Sequence, residues 1–349
     1  MSTYWQAGVN IEEGERAVEL MKVHVATAQR SESIGEIGGF AGQFDASALK
    51  KFTHPILVSA TDGVGTKTEI ARLMNKYDSI GEDLVAMVVD DLVVCGAEPL
   101  FMTDYIATGK VFPEKIAEII SGIARGCKIA NTALVGGETA EHPGLLAEDE
   151  FDLAGAATGV VEKSAVLGEA RVLEGDLVIA MASSGLHANG YSLARHIINT
   201  KKLDLDKKID SSNLTLGQYL LTPTKIYALD CLSLMAQLAN DLHALSHITG
   251  GGIAKNTARV IPSNLMAIID RSTWQLPSVM QSLAKAGQVD QSEIELTFNC
   301  GIGMLAIVDV KAKEKSLSHL KALGINAWVA GVITKRKADV GAQLANYYQ

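Results

Sequence analysis

Apolar and polar positions along this chain fall into blocks whose period changes. Over residues 11–29, Ala17, Val18, Met21 and Val25 recur at the spacing of one helix face. A glycine-rich loop follows at 35–42. The apolar run Pro55-Ile56-Leu57-Val58 then predicts a strand over 56–61. A short helix is expected from Lys67, a longer one around 80–95, a strand at 99–107 and a helix over 113–130, whose Pro113 suits a first turn. Strands near 133–136 and 151–161 complete this half. Residues 162–175 are polar enough for a linker, and a second alternating half begins at Asp176. The pattern by itself predicts an α/β chain with mixed strands, in two domains spanning 1–168 and 169–349.

Composition narrows the class. With 349 residues, 48% hydrophobic and only 7 prolines, the chain can bury large cores. A net charge of −9 offers no basic footprint, so no nucleic-acid partner is expected. The first residues lack a basic stretch followed by an apolar one, and no run approaches the ~18 apolar residues of a membrane span, so no membrane association is expected. Four cysteines (Cys95, Cys127, Cys231, Cys300) show no CxxC spacing. They read as buried thiols of a reducing, cytoplasmic setting.

The candidate chemistry sits where apolar runs end. After the first strand comes Asp62-Gly63-Val64-Gly65-Thr66-Lys67. Gly63 and Gly65 let the backbone turn tightly and bring N–H groups toward an anion, Thr66 and Lys67 open a helix, and Asp62 is placed to hold a Mg²⁺ bridging phosphate oxygens. The spacing is not that of a P-loop, and an ordinary turn has the same composition. Asp90 and Asp91 interrupt a nearly all-apolar helix; buried, they would need a metal or donors to compensate them, and exposed, they would need nothing. Gly136-Gly137-Glu138 repeats the theme of strand, glycines and carboxylate, although Glu138 could also cap a helix. Residues 183–192 place His187 and Asn189 in one polar loop. Gly250, Gly251 and Gly252 follow His247 as a second anion-binding turn or a plain bend. Trp274, Trp328 and Cys300 read as packing residues.

Together these segments resemble a known family. Asp62-Gly63-Val64-Gly65-Thr66-Lys67, Asp91-Leu92-Val93-Val94-Cys95-Gly96-Ala97-Glu98-Pro99-Leu100-Phe101, Asp104-Tyr105-Ile106-Ala107-Thr108-Gly109-Lys110, Leu134-Val135-Gly136-Gly137-Glu138-Thr139-Ala140, Gly185-Leu186-His187-Ala188-Asn189-Gly190-Tyr191-Ser192-Leu193, His247-Ile248-Thr249-Gly250-Gly251-Gly252 and Phe298-Asn299-Cys300-Gly301-Ile302-Gly303-Met304 are similar, in order, to phosphoribosylformylglycinamidine cyclo-ligases, the AIR synthetases. The resemblance runs from about residue 8 to 333. It implies an N-terminal domain that binds ATP and Mg²⁺ and lends strands to a dimeric β-barrel, a C-terminal α/β substrate domain, a cleft between them, and a homodimer. It implies ATP-dependent ring closure of formylglycinamidine ribonucleotide to 5-aminoimidazole ribonucleotide through phosphorylation of the formyl amide oxygen. By the same resemblance Asp62, Lys67 and His187 are catalytic, Asp62 and Asp91 hold metal, Gly63, Gly65, Thr66, Gly136, Gly137 and Glu138 bind the nucleotide, and Asn189, His247, Gly250, Gly251 and Gly252 bind the ribonucleotide.

The chain departs from the family pattern in two places. Asp90 stands where an asparagine is usual, and the lysine of an N-terminal lid is missing, leaving Lys22 and Arg30 as the nearest cations. Among relatives of the same architecture, the chain lacks the C-terminal cysteine of the hydrogenase-maturation dehydratases and the N-terminal one of selenophosphate synthetases. Thiamine-monophosphate kinase-like phosphoryl transfer is the enzymatic alternative, and a binding scaffold without turnover is the non-enzymatic one.

Overall fold

In the computed structural model, residues 10–35, 39–209, 213–337 and 339–349 are described. The first nine residues, read above for a leader, and residues 36–38 of the glycine-rich loop lie outside them. The chain divides into two compact units, one comprising Met1–Leu92 with Ala97–Lys163, the other Val93–Gly96 with Ser164–Gln349. Both are α/β.

The first unit begins with α1 (Ile11–Val25), started by Asn10, whose side chain accepts from the Glu12 and Glu13 N–H groups. Ala17 and Val25 are buried, but Val18 is exposed. It lies about 100° around the helix from Ala17, off the stripe that meets the rest of the unit. Two-residue strands β1 (Ser33–Ile34) and β2 (Gln43–Phe44) form a small ribbon. There follow β3 (Pro55–Gly63), α2 (Lys67–Met74), α3 (Asp78–Val93), β4 (Glu98–Thr108), α4 (Pro113–Ala130), β5 (Ala133–Glu141) and β6 (Phe151–Glu162).

Four of these strands pair in the order β3-β6-β4-β5, with only β4 and β5 parallel. The sheet is one-sided. Met102 and Ile106 of β4 are fully buried on the face that Leu84 of α3 packs against near Gly155. On the other face Leu57 is 60% and Tyr105 42% exposed. The period-2 alternation of β4 is the imprint of that asymmetry.

In the second unit a six-stranded sheet has the order β12-β9-β11-β7-β10-β8, built from β7 (Leu177–Ala182), β8 (Leu242–His247), β9 (Leu265–Asp270), β10 (Ile302–Val308), β11 (Ala327–Lys335) and β12 (Ala342–Ala345). Every residue of β8 and β10 is buried, which is why both read as unbroken apolar runs or nearly so. The helices are α5 (Tyr191–Lys201), α6 (Leu216–Leu220), α7 (Ala228–Leu238), α8 (Gly252–Ala258), α9 (Ser278–Gly287), α10 (Gln291–Thr297) and α11 (Lys313–Ala322). Among the described residues no helix is long and apolar enough to cross a membrane.

α3 and α4 pack closely in the first unit. A Cβ on Gly122 would overlap the Asp78 carbonyl oxygen, and one on Gly81 would overlap the backbone of Ile119 and Ile123. Gly122→Ala is therefore expected to cost about 1–3 kcal/mol through overpacking. Urea unfolding measures this, and a change below about 0.5 kcal/mol would mean that the two helices have room to separate.

Candidate functional site

In the first unit the site is organised by one row across the sheet. Asp62 on β3 pairs with Gly155 on β6, Gly155 with Asp104 on β4, and Asp104 with Gly137 on β5. Residues paired directly across strands project from the same face. Asp62 and Asp104 thus stand on the helix-covered face, about 10 Å apart at two strand spacings.

Beyond Asp62 the chain turns. The Asp62 carboxylate accepts from the Gly63 N–H at 2.7 Å. Gly65 takes φ +55, and the space where a side chain would stand is open. Thr66 is the N-cap of α2, so the open turn and a helix start coincide. Lys67, expected to offer its charge to phosphate, is instead inside the fold. Its ammonium is fully buried and 2.8 Å from the equally buried Asp83 of α3. Burial lowers its pKa and the Asp83 charge opposes that fall. Its charge is already balanced within the protein, so a direct reach to phosphate does not follow from this geometry.

Asp90 and Asp91 do not break α3, which runs on to Val93. Asp90 is fully buried and Asp91 half-buried. The strand expected near 133–136 is longer than that: β5 continues through Gly136, Gly137 and Glu138, paired with Thr103, Asp104 and Tyr105. Glu138, beside Tyr105, is exposed and falls on the opposite face from Asp62. Gly137 is glycine because a Cβ there would overlap the Asp104 carboxylate. Arg30 is engaged elsewhere: it pairs with Glu32 at 2.8 Å and donates to the Pro99 and Asn131 carbonyls.

A hard cation that bridges phosphates takes only one or two carboxylates from its protein and completes its shell with water and phosphate oxygens. Asp62, at the end of β3, and Asp91, in the last turns of α3, are carboxylates of the type such a cation takes. No group of three or more metal-ligating side chains occurs among the described residues.

In the second unit the two expected loops meet. The Asn189 side-chain Oδ1 accepts from the Gly250 N–H at 3.0 Å. Gly252 N–H donates to the Thr249 carbonyl, so two of the three glycine N–H groups are engaged within the protein. His187 is 1% exposed, in a left-handed conformation (φ 63), and its Nε2 accepts from the Ser184 N–H at 3.2 Å. Its ring packs near Tyr227, and both crowd the α-carbon of Gly303, where a side chain would overlap them. His247, at the end of β8, is also buried. A cavity of about 460 Å³ opens beside Ser183, Ser184 and Gly185, walled by Tyr219, Trp274 and Trp328.

Sequence reasoning passed over the residues that brace these loops. Asn256 Nδ2 donates to the carbonyls of Thr249, Gly250 and Gly252. Asn299 donates to the Gly185 carbonyl and accepts from the Gly301 N–H. Tyr227 donates to the Ala182 carbonyl at 2.7 Å. Asp83 and Asp104 were missed in the first unit, and the signal for each was a carboxylate inside an otherwise apolar pattern.

Comparison with known proteins bears on the same segments. Residues 44–161 match the family described as "AIR synthase related protein, N-terminal domain", and residues 174–342 match its C-terminal counterpart. The phosphoribosylformylglycinamidine cyclo-ligase of Geotalea daltonii is 45% identical over 342 residues, covering 98% of this chain and 97% of its own. Among solved structures, a thiamine-monophosphate kinase from Stenotrophomonas maltophilia is similar at TM-score 0.68 and 18% identity, over 96% of this chain and 97% of its own. The hydrogenase maturation protein HypE in complex with ATP is similar at TM-score 0.65 and 15% identity, over 95% and 91%.

Asp104 gives this site a pH signature. Burial pushes its carboxyl up to about 7, and the Glu138 charge adds to the rise. An unfolded aspartate titrates near 4. Between those values the unfolded chain binds fewer protons than the folded one, so this residue makes stability fall as pH rises. Asp104→Asn, neutral throughout, is expected to gain on the parent by about 1.4 kcal/mol per pH unit across that window. Urea unfolding at pH 4.5 and 7.5 reads the difference, and a pH-independent offset would show that the carboxyl is ionised in the fold.

Proposed function

The chain belongs to the AIR synthase family, among the phosphoribosylformylglycinamidine cyclo-ligases, and from that premise we propose how its residues divide the work. The reaction is ATP-dependent closure of the imidazole ring of formylglycinamidine ribonucleotide, a step of purine biosynthesis that releases ADP and phosphate. Identity of 45% over 98% of the chain is the observation that carries this reading.

An amide oxygen is a poor leaving group. Phosphorylating it makes it a good one, and the neighbouring amidine nitrogen can then displace phosphate and close the ring. Such chemistry depends on positioning and on charge stabilisation around the transferred phosphoryl more than on a protein nucleophile. We assign Asp62 and Asp91 as the residues that would hold a Mg²⁺ at the phosphates of ATP. The metal would neutralise charge on the transferred group. The turn of Gly63, Gly65 and Thr66 presents backbone donors beside it, and the open space over Gly65 supports that assignment. Gly136, Gly137 and Glu138 are kept in the nucleotide site on the family resemblance.

The ribonucleotide we assign to the second unit, at the joined loops that carry Asn189, His247, Gly250, Gly251 and Gly252. His187, buried beneath, sets the shape of its loop. The support is the hydrogen bond that joins the two loops, from the Gly250 N–H to the Asn189 side chain. We further propose a cytoplasmic homodimer in which the bare face and edges of the first unit's sheet are covered by a second copy, completing a barrel. Exposed Leu57 and Tyr105 motivate it.

A coupled ADP-release assay with formylglycinamidine ribonucleotide against thiamine monophosphate tests the function. Turnover is expected only with the first; turnover with the second alone would favour the kinase reading. Asp91→Asn is expected to lower kcat by at least about a hundredfold with the fold intact, and a near-parental kcat would remove Asp91 from the metal site. Light scattering at micromolar concentration is expected to give twice the chain mass, and a monomer would rule out the shared barrel.

A further inference from the structure

Lys67 and Asp83 pose a physical question that the reaction does not answer. Both side chains are fully buried, 2.8 Å apart. Withdrawing two charges from water costs several kcal/mol per ion, and an apolar pair of similar volume is often as stable or more so. Stability alone is therefore a weak reason for this pair.

Its place in the fold supplies another. Lys67 is the first residue of α2, directly after the turn that begins at Asp62. Asp83 lies on α3 next to Leu84, whose side chain is the neighbour a Cβ on Gly155 would meet at 3.2 Å. Gly155 is in turn the residue paired with Asp62. The contacts close a ring: Asp62, the glycine turn, Lys67, Asp83, Leu84, Gly155 and back to Asp62. The same helix carries Asp91 two turns further on, about 12 Å along its axis.

We propose that Lys67 and Asp83 are positioning residues for the Mg·nucleotide site: their buried ion pair locks the Asp62–Thr66 turn to the helix that bears Asp91. The proposal rests on the assignment of Asp62 and Asp91 to the nucleotide. An ion pair suits the task because its geometry is directional, whereas an apolar contact tolerates sliding. The lysine charge serves the fold, and the phosphates meet the turn's backbone and the metal instead.

The test replaces both members of the pair, so that neither is left charged without the other. Lys67→Met/Asp83→Leu is expected to fold with a Tm near the parent's, yet to bind Mg·ADP at least about tenfold more weakly by calorimetry. That titration needs no ribonucleotide, so it stands whether or not the cyclo-ligase assignment holds. In the turnover assay the KM for ATP is expected to rise while the KM for the ribonucleotide does not change. Lys67→Met/Asp83→Asn, which keeps the aspartate's shape, is the second variant and is expected to behave alike. Parental Mg·ADP affinity in a folded double variant would overturn the proposal. So would a loss confined to kcat, which would put Lys67 on the reacting phosphoryl. A chain that folds in neither form would make the pair a folding determinant and overturn it as well.

Discussion

The register of one sheet governs the first unit. Because Asp62, Gly155, Asp104 and Gly137 pair in a single row, two carboxylates are committed to the face that the helices cover. A slip of β4 by one residue would move Asp104 to the bare face and carry Met102 and Ile106 out of the core with it. The hydrophobic alternation of β4 therefore fixes the chemistry as firmly as it fixes the packing. Glycine at 155 and 137 follows from the same row, since Leu84 and the Asp104 carboxylate occupy the volume that side chains would need.

The elements were legible in the sequence where a period was long and unbroken. The helix over 113–130 and the strand that ends at Asp62 stand within a few residues of where the pattern put them. Legibility failed where a residue answers to a distant partner. The strand expected near 133–136 stops short because glycines usually punctuate strands, yet β5 passes straight through Gly136 and Gly137, and Gly137 leaves room for the Asp104 carboxylate. Val18 read as core because spacing cannot say how far around a helix the contact extends. Lys67 read as a cation for the transferred phosphoryl because its charge opens a helix after a glycine turn; only the fold reveals that the buried Asp83 receives it.

In the second unit the sequence named the loops but not their supports. His187, Asn189 and the three glycines stand out as motifs. Asn256 lies in no motif, and Asn299 lies in one that gives it no role, although each binds more than one backbone group of these loops. A side-chain amide offers a donor and an acceptor in one plane, and here it substitutes for the regular ladder that a loop lacks.

The hydrogen bond between Asn189 and Gly250 links segments that are 61 residues apart in sequence. Two loops fastened to each other have surrendered much of their conformational freedom while the chain folds. A ligand arriving there meets a surface whose ordering entropy has already been lost, so its association carries a smaller unfavourable entropy than capture by two independent loops would. The kinetic counterpart is that residence time, set by contacts broken on departure, becomes the quantity that substitutions in these loops would tune, while the rate of arrival stays nearly constant.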